Sequence, residues 1–222
     1  MIVFSLGGSV MVPDVPHRAY LSAFKRFVYK ISKKEKVAIV TGGGKTARSY
    51  INALEGIASR DKQDNIGIKA TEINALLMIY FLGLNQKLPS NVKEASKIAA
   101  KSRISVFGGL RVGQTSDAVA AELAAETGAR LFINMTNVKG LFNRDPTKFK
   151  DARLVRKISF DKLIARIRKL KERPGQHFIL DSKASRIIKK NNIKTLIVYG
   201  RDLKNIGKAI NNKRFIGTTV SD

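Results

Sequence analysis

An α/β fold with a mainly parallel central sheet is the architecture that this sequence of 222 residues predicts. Short apolar runs typical of strands alternate with longer amphipathic runs typical of helices, an order that favours parallel strands joined by helical crossovers. Three of the strand-like runs, within residues 2–9, 37–45 and 104–109, end directly in two or three glycines. The length and the 44% hydrophobic content suit one large domain with a substantial core.

The individual elements follow from the spacing of the apolar residues. Short runs rich in β-branched and aromatic residues predict strands. In chain order these are residues 2–6, 37–41, 104–107, 130–135, 194–199 and 217–220. Longer runs with a helical repeat predict helices. These are residues 17–32, about 46–58, 67–82, 92–101, 117–127, about 160–172, about 181–191 and 203–211.

Turn-forming residues explain the segments between these elements. Residues 136–159 are predicted to form one long loop, in which Asn137 and Gly140 begin a series of turn formers. A break at Pro174-Gly175 separates two of the predicted helices. No linker, internal repeat or low-complexity segment divides the chain, so two lobes that share one continuous sheet are favoured over two separable domains.

The composition limits the class of protein. The chain contains no cysteine, which excludes disulfides and thiolate metal sites. The amino terminus lacks the layout of a signal peptide, because its apolar start is short and meets glycine at once. The longest apolar run, at residues 75–82, is too short to cross a bilayer. A soluble, cytoplasmic protein is therefore expected.

The formal net charge of +25 raises the possibility of a nucleic-acid-binding module, because basic surfaces bind polyanions by counterion release. Lys and Arg residues are spread along the whole chain, however, with only modest clusters such as residues 166–171. No Trp is present, and no helix-turn-helix or zinc signature accompanies the charge. A basic surface on an enzyme of anionic substrates explains the charge equally well, so specific nucleic-acid binding is not expected.

The first two glycine loops contain candidate phosphate-binding residues. Glycine lets the backbone approach a phosphate closely, and a helix that follows adds its positive end. Neither loop matches the P-loop or the dinucleotide-binding pattern, and each loop alone is also explained as a tight turn. Three such loops in one domain indicate a site for several phosphates. The candidates are Gly7, Gly8, Ser9, Gly42, Gly43, Gly44, Lys45 and Arg48.

The third glycine loop leads into a second candidate anion site. Thr115 or Ser116 can cap the helix that follows, which orients the free N–H groups of that helix toward the loop. A phosphate bound there would also receive the Thr or Ser hydroxyl group. Capping alone is the simpler explanation, and the two uses are compatible.

The strand at residues 130–135 leads into a candidate nucleoside site. Thr136 and Asn137 follow the strand directly, and Phe142 and Asp145 follow within the same long loop. An aromatic ring beside a carboxylate and amide groups suits a purine and its ribose. Long loops in compact domains are more often functional than purely structural, although the structural alternative stays open.

Other polar residues are weaker candidates. Asp181 opens a predicted helix two positions before Lys183, either as a plain N-cap or as a group that orients a phosphate-binding cation. Asp64 is interpreted as a turn residue or as a ribose ligand. His17 and His177 have no partner at a catalytic spacing, so a mechanism based on histidine is not expected.

In this order, these segments resemble the amino-acid-kinase superfamily and, within it, the archaeal-type uridylate kinases. The resemblance covers nearly the whole chain. The residues that carry it are Gly7-Gly8-Ser9-Val10, Gly42-Gly43-Gly44-Lys45, Ala47-Arg48, Asp64, Gly67, Gly108-Gly109, Gly113, Thr115, Asp117-Ala118-Val119-Ala120, Thr136-Asn137-Val138, Gly140, Asp145-Pro146, Asp181, Ala184 and Gly217-Thr218-Thr219.

The resemblance implies a three-layer sandwich, with helices on both faces of the mainly parallel sheet. It also implies the transfer of a phosphoryl group from ATP to UMP with Mg²⁺ required, within one domain of residues 1–222. The UMP lobe would cover about residues 1–128 and the ATP lobe about residues 129–222. Such kinases are usually hexamers built from dimers. No protein ligand is assigned to the metal.

The resemblance also distributes roles among the candidate residues. UMP would be held by Gly43, Asp64, Leu110, Arg111, Val112, Gly113, Gln114, Thr115 and Ser116. ATP would be held by Gly7, Gly8, Ser9, Gly44, Arg48, Thr136, Asn137, Phe142 and Asp145. The catalytic candidates are Lys45, Arg48, Asp181 and Lys183.

Two positions depart from the family pattern. Many members of the superfamily carry a lysine two residues before the first glycine pair, where this chain has Ser5. Lys45 or Lys183 would then supply the missing charge. Asp181 is followed by Ser182, where relatives commonly have proline.

Two alternatives on the same fold stay open. The first is a sister kinase with another acceptor, such as isopentenyl phosphate, acetylglutamate, carbamate or an aspartate carboxylate. The isopentenyl phosphate branch typically has a histidine beyond the second glycine loop, and residues 44–48 contain none. The second alternative is a catalytically silent nucleotide-binding protein, which Ser5 keeps open.

Overall fold

The computed structural model describes residues 1–146, 148–171 and 180–222, so the predicted break at Pro174-Gly175 and His177 lie outside the described residues. The strands are β1 (Ile2–Leu6), β2 (Val37–Thr41), β3 (Ile104–Phe107), β4 (Leu131–Thr136), β5 (Lys157–Ile158), β6 (Thr195–Tyr199) and β7 (Thr218–Val220). The helices are α1 (Gly8–Met11), α2 (Arg18–Ser32), α3 (Gly44–Ala53), α4 (Arg60–Leu82), α5 (Val92–Lys101), α6 (Ser116–Glu126), α7 (Phe160–Lys171), α8 (Ser182–Lys190) and α9 (Leu203–Ile210).

The strands of the described residues form one sheet in the order β3-β2-β1-β4-β6-β7-β5. Neighbouring strands are parallel except for β7, which runs antiparallel to β6, so the predicted mainly parallel sheet is confirmed. Leu6, at the end of β1, lies beside Thr41 of β2 and Met135 of β4. The loops after these strands therefore meet at the carboxyl edge of the sheet, where open α/β sheets bind ligands.

Helices cover both faces of the sheet, which confirms the three-layer sandwich. Ile2 and Phe4 of β1 contribute to one core, together with buried residues of α2, α4 and α9. Val3 contributes to the other core, together with α5, α6, α7 and α8. The rings of Phe4 and Phe24 pack edge to face in the first core with their centroids 6.3 Å apart. Full burial of such a side chain stabilises the fold by about 1.5–3 kcal/mol.

Two helices differ from the predicted boundaries by more than one residue. Helix α3 begins at Gly44 and ends at Ala53, earlier than the predicted residues 46–58 at both ends. Helix α4 begins at Arg60 instead of residue 67, because its first turns are polar and largely exposed and so carry no apolar repeat. Asp64 lies inside this helix, so its interpretation as a turn residue is wrong.

The predicted long loop at residues 136–159 contains more pairing than expected. Phe142 forms an antiparallel bridge with Leu154, and the short strand β5 ends the segment by pairing with β7. Helix α1 was not predicted either, because its four residues are too few to show a repeat. In the described part of the chain, no helix combines the length and apolar character needed to cross a bilayer.

Candidate active site

The first two glycine loops pack against each other backbone to backbone. A Cβ atom on Gly8 would lie 2.4 Å from the backbone nitrogen of Gly44 and 2.5 Å from the carbonyl oxygen of Gly42. Gly44 has a φ of +63°, and a Cβ atom there would lie 2.6 Å from the carbonyl carbon of Gly8. Only glycine fits at these two positions. The starts of α1 and α3 are thereby held side by side, with first-turn N–H groups that have no partner within their own helix.

Three cationic side chains surround these loops. Arg48 Nη2 donates a hydrogen bond to Ser9 Oγ at 3.2 Å, which links the two loops through predicted ATP ligands. Arg201 donates to the carbonyl oxygens of Val10 and Ser9 at 3.3 and 3.5 Å, respectively. Lys45 forms an ion pair with Asp14 in which both side chains are largely exposed. Lys45 is therefore placed at the rim of the loops, where its charge is accessible to a ligand.

A buried polar cluster lies beneath the glycine loops. Ser5 Oγ donates to Asp117 Oδ1 at 2.6 Å, and Asn134 Nδ2 donates to Asp117 Oδ2 at 3.3 Å. Burial and, to a smaller extent, the negative charge of Asp181 raise the pKa of Asp117 to about 6, against the opposing hydrogen bonds from Ser5 and Asn134. Asp117 thus places a carboxyl group with a raised pKa beneath the glycine loops, held by Ser5 and Asn134.

Helices α6 and α8 meet at their amino termini through one hydrogen bond. Thr115 caps α6 by accepting a hydrogen bond from the Ala118 N–H at 3.1 Å, and its hydroxyl donates to Asp181 Oδ2. Asp181 Oδ1 caps α8 by accepting from the N–H groups of Lys183 and Ala184 at 2.6 and 2.9 Å. Both predicted N-caps are confirmed. Ser182 occupies the first position of α8, where proline is tolerated, so this departure from the family pattern leaves the cap intact.

The third glycine loop crosses α4. The Gly109 N–H donates to Thr71 Oγ1 at 2.5 Å, and the Gly113 N–H donates to Asp64 Oδ2 at 3.1 Å. Asp64 also forms an ion pair with Arg60 at 3.5 Å. The candidate UMP residues at positions 110–116 are therefore anchored to α4 just before their start and at their midpoint. Within them the side chains of Arg111 and Val112 are exposed.

A second polar cluster joins this loop to α8. Gln114 Nε2 donates to Glu122 Oε1 at 2.6 Å, and Lys183 Nζ lies 3.3 Å from the same oxygen. Gln114 Oε1 is buried and has no hydrogen-bond donor within the described part of the chain. Glu122 was not a sequence candidate, because a single glutamate inside an alanine-rich helix gives no signal of its own.

The candidate nucleoside residues begin at Thr136, which is the last residue of β4 and does not follow the strand as predicted, and continue into the segment after it. Thr136 accepts a hydrogen bond from the Gly200 N–H at 2.7 Å through its carbonyl oxygen, and its hydroxyl donates to Asn137 Oδ1 at 3.3 Å. Both residues therefore lie at the carboxyl edge of the sheet. Phe142 is half-buried, and its carbonyl oxygen accepts a hydrogen bond from Arg166. Asp145 accepts the Phe149 N–H at 3.0 Å through its own carbonyl oxygen and so shapes a turn.

Several residues of the site were missed in the sequence. Asn134 is a polar residue inside an otherwise apolar strand, and that interruption was the available signal. Ser5 was noted in the sequence only as a departure from the family pattern, not as the hydrogen-bond donor to Asp117 that it is. Asn74 is a buried polar residue of α4, and its side-chain amide donates to the Gly42 carbonyl oxygen at 2.7 Å. Arg201 gave no local signal, because it reaches the first glycine loop from the far end of the chain.

The arrangement suits phosphate chemistry. Loops after β1, β2 and β3 and the amino termini of α1, α3, α6 and α8 converge at one edge of the sheet, where backbone N–H groups can bind anions. Two carboxylates, Asp117 and Asp181, lie close enough for one to affect the pKa of the other. Such a site can hold two phosphorylated substrates and position a cation between them.

The comparisons with known proteins agree with this geometry. A sequence model described as the amino acid kinase family matches residues 1–199. A uridylate kinase of Methanothermobacter thermautotrophicus is 36% identical over 222 residues, which cover 99% of this chain and 98% of the relative. A uridylate kinase of Thermoplasma acidophilum is 37% identical over 223 residues, with 100% and 96% covered. The crystal structure of uridylate kinase from Archaeoglobus fulgidus superposes with a TM-score of 0.87 at 34% identity, with 99% of both chains covered.

Proposed function

The chain belongs to the amino acid kinase family, and from this premise we propose that it is a uridylate kinase. It transfers the γ-phosphoryl group of ATP to UMP and releases UDP and ADP, a step of pyrimidine nucleotide synthesis. The observation that carries the proposal is the backbone-to-backbone packing of Gly8 against Gly44, which sets two phosphate-binding loops side by side. The full-length similarity to archaeal uridylate kinases supports UMP as the acceptor.

The two substrates would occupy neighbouring parts of the site. The ATP phosphates would contact the first-turn N–H groups of α1 and α3, with Arg48 as the cation that bridges both loops through Ser9. Residues 110–116, called the acceptor loop below, would hold UMP together with Gly43 and Asp64. The anchoring of Gly113 on Asp64 supports this assignment, because it fixes the acceptor loop beside the second glycine loop.

The ATP nucleoside would lie toward the carboxyl-terminal half of the chain. Thr136 and Asn137 would contact the ribose and nearby phosphate, and Phe142 would pack against the base, with Asp145 at its rim. The position of Thr136 at the end of β4, next to β1, supports this assignment. With this assignment, one domain of residues 1–222 would consist of a UMP lobe at about residues 1–128 and an ATP lobe at about residues 129–222.

Mg²⁺ is the metal that this reaction would require. Protein sites usually bind it through one or two carboxylates and the substrate phosphates, not through a complete set of protein ligands. In keeping with this, the described residues contain no group of three or more metal-ligating side chains, but they do pair Asp117 with Asp181. Each oxygen of these carboxylates already accepts a hydrogen bond, and the remaining lone pairs would be the ones to hold the ion. When bound, Mg²⁺ would neutralise part of the charge on the transferred phosphoryl group.

The residues of the chain would act by alignment and charge stabilisation. Phosphoryl transfer requires little covalent chemistry from the protein, and the acceptor oxygen of UMP is already ionised, so no general base is needed. Both substrates are polyanions, and backbone N–H groups with Lys45, Arg48 and Lys183 would offset their repulsion. Ser5 donates a hydrogen bond to Asp117 and carries no charge, so Lys45 or Lys183 would supply the charge that many family members obtain from a lysine at this position.

The assembly and location of the protein extend the same proposal. Large apolar side chains of α3 and α4 are exposed, with Tyr50 at 58%, Ile73 at 63% and Tyr80 at 73% of their full accessibility. A contact between identical subunits would bury these residues, which supports a homo-oligomer, up to the hexamer usual in the family. A cytoplasmic location follows from the substrates, which are intracellular nucleotides.

The test is a coupled assay of ADP release with ATP, Mg²⁺ and separate acceptors: UMP, CMP, isopentenyl phosphate and N-acetylglutamate. Turnover confined to UMP is the expected result. Turnover with another acceptor would identify a sister kinase. Retained ATP binding without turnover on any acceptor would identify a silent nucleotide-binding protein, for which the uncharged Ser5 beneath the first glycine loop is the structural reason.

A further inference from the structure

We propose that Glu122 is a positioning residue that couples the acceptor loop to Lys183 at the start of α8. The proposal rests on the proposed uridylate kinase function. Glu122 lies outside the three glycine loops and is not one of the candidate substrate ligands. The consequence of the proposal is that acceptor binding and the placement of one catalytic cation depend on the same side chain.

The geometry places Glu122 between two functional groups. Its Oε1 atom accepts the Gln114 amide hydrogen bond at 2.6 Å and lies 3.3 Å from Lys183 Nζ. The side chain of Glu122 is 23% exposed and that of Lys183 is 42% exposed, so water weakens this interaction less than it weakens a surface ion pair. Ala121 and Leu123 beside it are buried in the core of the sandwich, which fixes the direction from which Glu122 projects.

The charge of Glu122 determines what each partner offers to a substrate. An ionised carboxylate only accepts hydrogen bonds, so it turns the Nε2 end of the Gln114 amide toward itself. The Oε1 end is then presented as an acceptor inside the acceptor loop, where it is buried without a donor from the described residues. The Lys183 ammonium group has three donors, and one contact with Glu122 leaves two for a phosphate.

A purely structural ion pair would behave differently. Partly exposed pairs contribute little to stability, and the removal of a pair with no positioning role would leave the kinetics unchanged. A positioning role instead predicts that the effect of Glu122 on turnover requires Lys183. The two roles are therefore separated by kinetics in a double-mutant cycle and not by stability.

The experiment compares wild type with E122Q, E122A, K183M and the double variant E122Q/K183M. For E122Q we expect about tenfold lower kcat and an unchanged KM for UMP, because the amide oxygen still accepts from Gln114 but no longer holds the ammonium group. For E122A we expect the same loss of kcat and about fivefold higher KM for UMP, because the Gln114 amide is also released. In the K183M background, E122Q should change kcat by less than about twofold.

The matched control is E126Q, the same substitution one turn later on α6 at an exposed position, which should retain wild-type kinetics. Wild-type kcat in folded E122Q would overturn the proposal. A full tenfold loss that persists in the K183M background would overturn it too. Thermal unfolding of each variant establishes that it is folded.

Failure of the proposed function has a different signature. A wild-type protein that turns over none of the acceptors would contradict the uridylate kinase assignment alone. Wild type, E122Q, K183M and E122Q/K183M would then be titrated with ATP by calorimetry. Weaker ATP binding in E122Q that disappears in the K183M background supports the role of Glu122. An ATP dissociation constant of E122Q equal to that of wild type, or effects of the two substitutions on the binding free energy that simply add, would overturn it.

Discussion

The paired glycine loops and the segment that follows β4 are stabilised in different ways. In the glycine loops, the backbone of one loop fills the space that a side chain would need in the other, as the 2.4 Å approach at Gly8 shows. In the segment after β4, a short antiparallel bridge and single side-chain hydrogen bonds hold the backbone, for example the bridge between Phe142 and Leu154 and the Asn143 Oδ1 atom, which accepts the Arg153 N–H at 2.7 Å. Substitutions in the glycine loops, the first region, should therefore remove most of the activity at once. Substitutions in the segment after β4, the second region, should reduce it gradually.

The largest effect is expected for Gly8→Ala. The added methyl group would overlap backbone atoms of Gly42 and Gly44 that cannot move without opening the second loop. We expect at least a 100-fold loss of kcat/KM, because displacement of reacting groups by about 1 Å costs that much. The measurement is steady-state kinetics with UMP and ATP, together with thermal unfolding.

The control for this prediction is Gly207→Ala in α9. A Cβ atom there would meet only a ring carbon of Phe27 at 3.7 Å, an ordinary contact. Because alanine favours a helix over glycine, this variant should be as active as wild type and up to about 1 kcal/mol more stable. Near-normal activity of Gly8→Ala would remove the distinction between the two regions.

A smaller effect is expected for Lys45→Ala, which removes a charge at the rim of the second glycine loop. We expect turnover to fall about 100-fold if Lys45 acts as a preorganised electrostatic group on the phosphoryl in transit. Lys189→Ala is the matched control, since Lys189 also pairs with an aspartate, Asp161, but on the outer helices α7 and α8. Normal turnover of the Lys45→Ala enzyme would show that another cation supplies the charge missing at Ser5, and Lys183 would be the first candidate.

The pKa of Asp117 predicts a pH dependence beneath the glycine loops. Its pKa is about 6 in the folded protein against an ordinary value of 3.8, so the folded state binds the proton more tightly. The contribution of Asp117 to stability is therefore present at low pH and is lost as the pH rises from about 4 to about 6. The free energy of unfolding of Asp117→Asn minus that of wild type should therefore increase by about 2 kcal/mol from pH 4 to pH 7.

Denaturant unfolding at the two pH values measures this difference. Only its change with pH is diagnostic, because the hydrogen bonds that the asparagine loses or gains are the same at both values. A constant difference between wild type and Asp117→Asn would show that Asp117 titrates normally.

The smallest effect is expected for Phe142 in the second region. Loss of the ring in Phe142→Ala should raise KM for ATP by about fivefold, the usual worth of an aromatic contact, and leave KM for UMP unchanged. Phe142→Tyr keeps the ring and should remain within about twofold of wild type. An equal rise in KM for both substrates would indicate that Phe142 supports the site as a whole and does not contact the ATP base.

The same contrast explains what could be predicted from the sequence. Strands β1, β2 and β3 have the predicted boundaries, because buried parallel strands are continuous apolar runs that end sharply at glycine. The N-caps Thr115 and Asp181 were also predictable, because capping depends on neighbours only two or three residues away.

Long-range contacts were not predictable in this way. The contact of Arg201 with Ser9 and that of Glu122 with Lys183 join residues that are distant in the chain, and each type of side chain is common on surfaces. The polar start of α4 carries no apolar repeat, so Asp64 was assigned to a turn or a ligand role. Sequence patterns thus located the loops, whereas the side chains that connect them required the structure.

The most direct test of backbone binding of the phosphates is hydrogen–deuterium exchange of the whole protein with a non-hydrolysable ATP analogue, alone and with UMP. The account predicts slower exchange in peptides that cover residues 7–11 and 42–48 with the analogue, and in residues 110–116 only when UMP is added. Protection confined to residues 137–156, with both glycine loops unchanged, would contradict it.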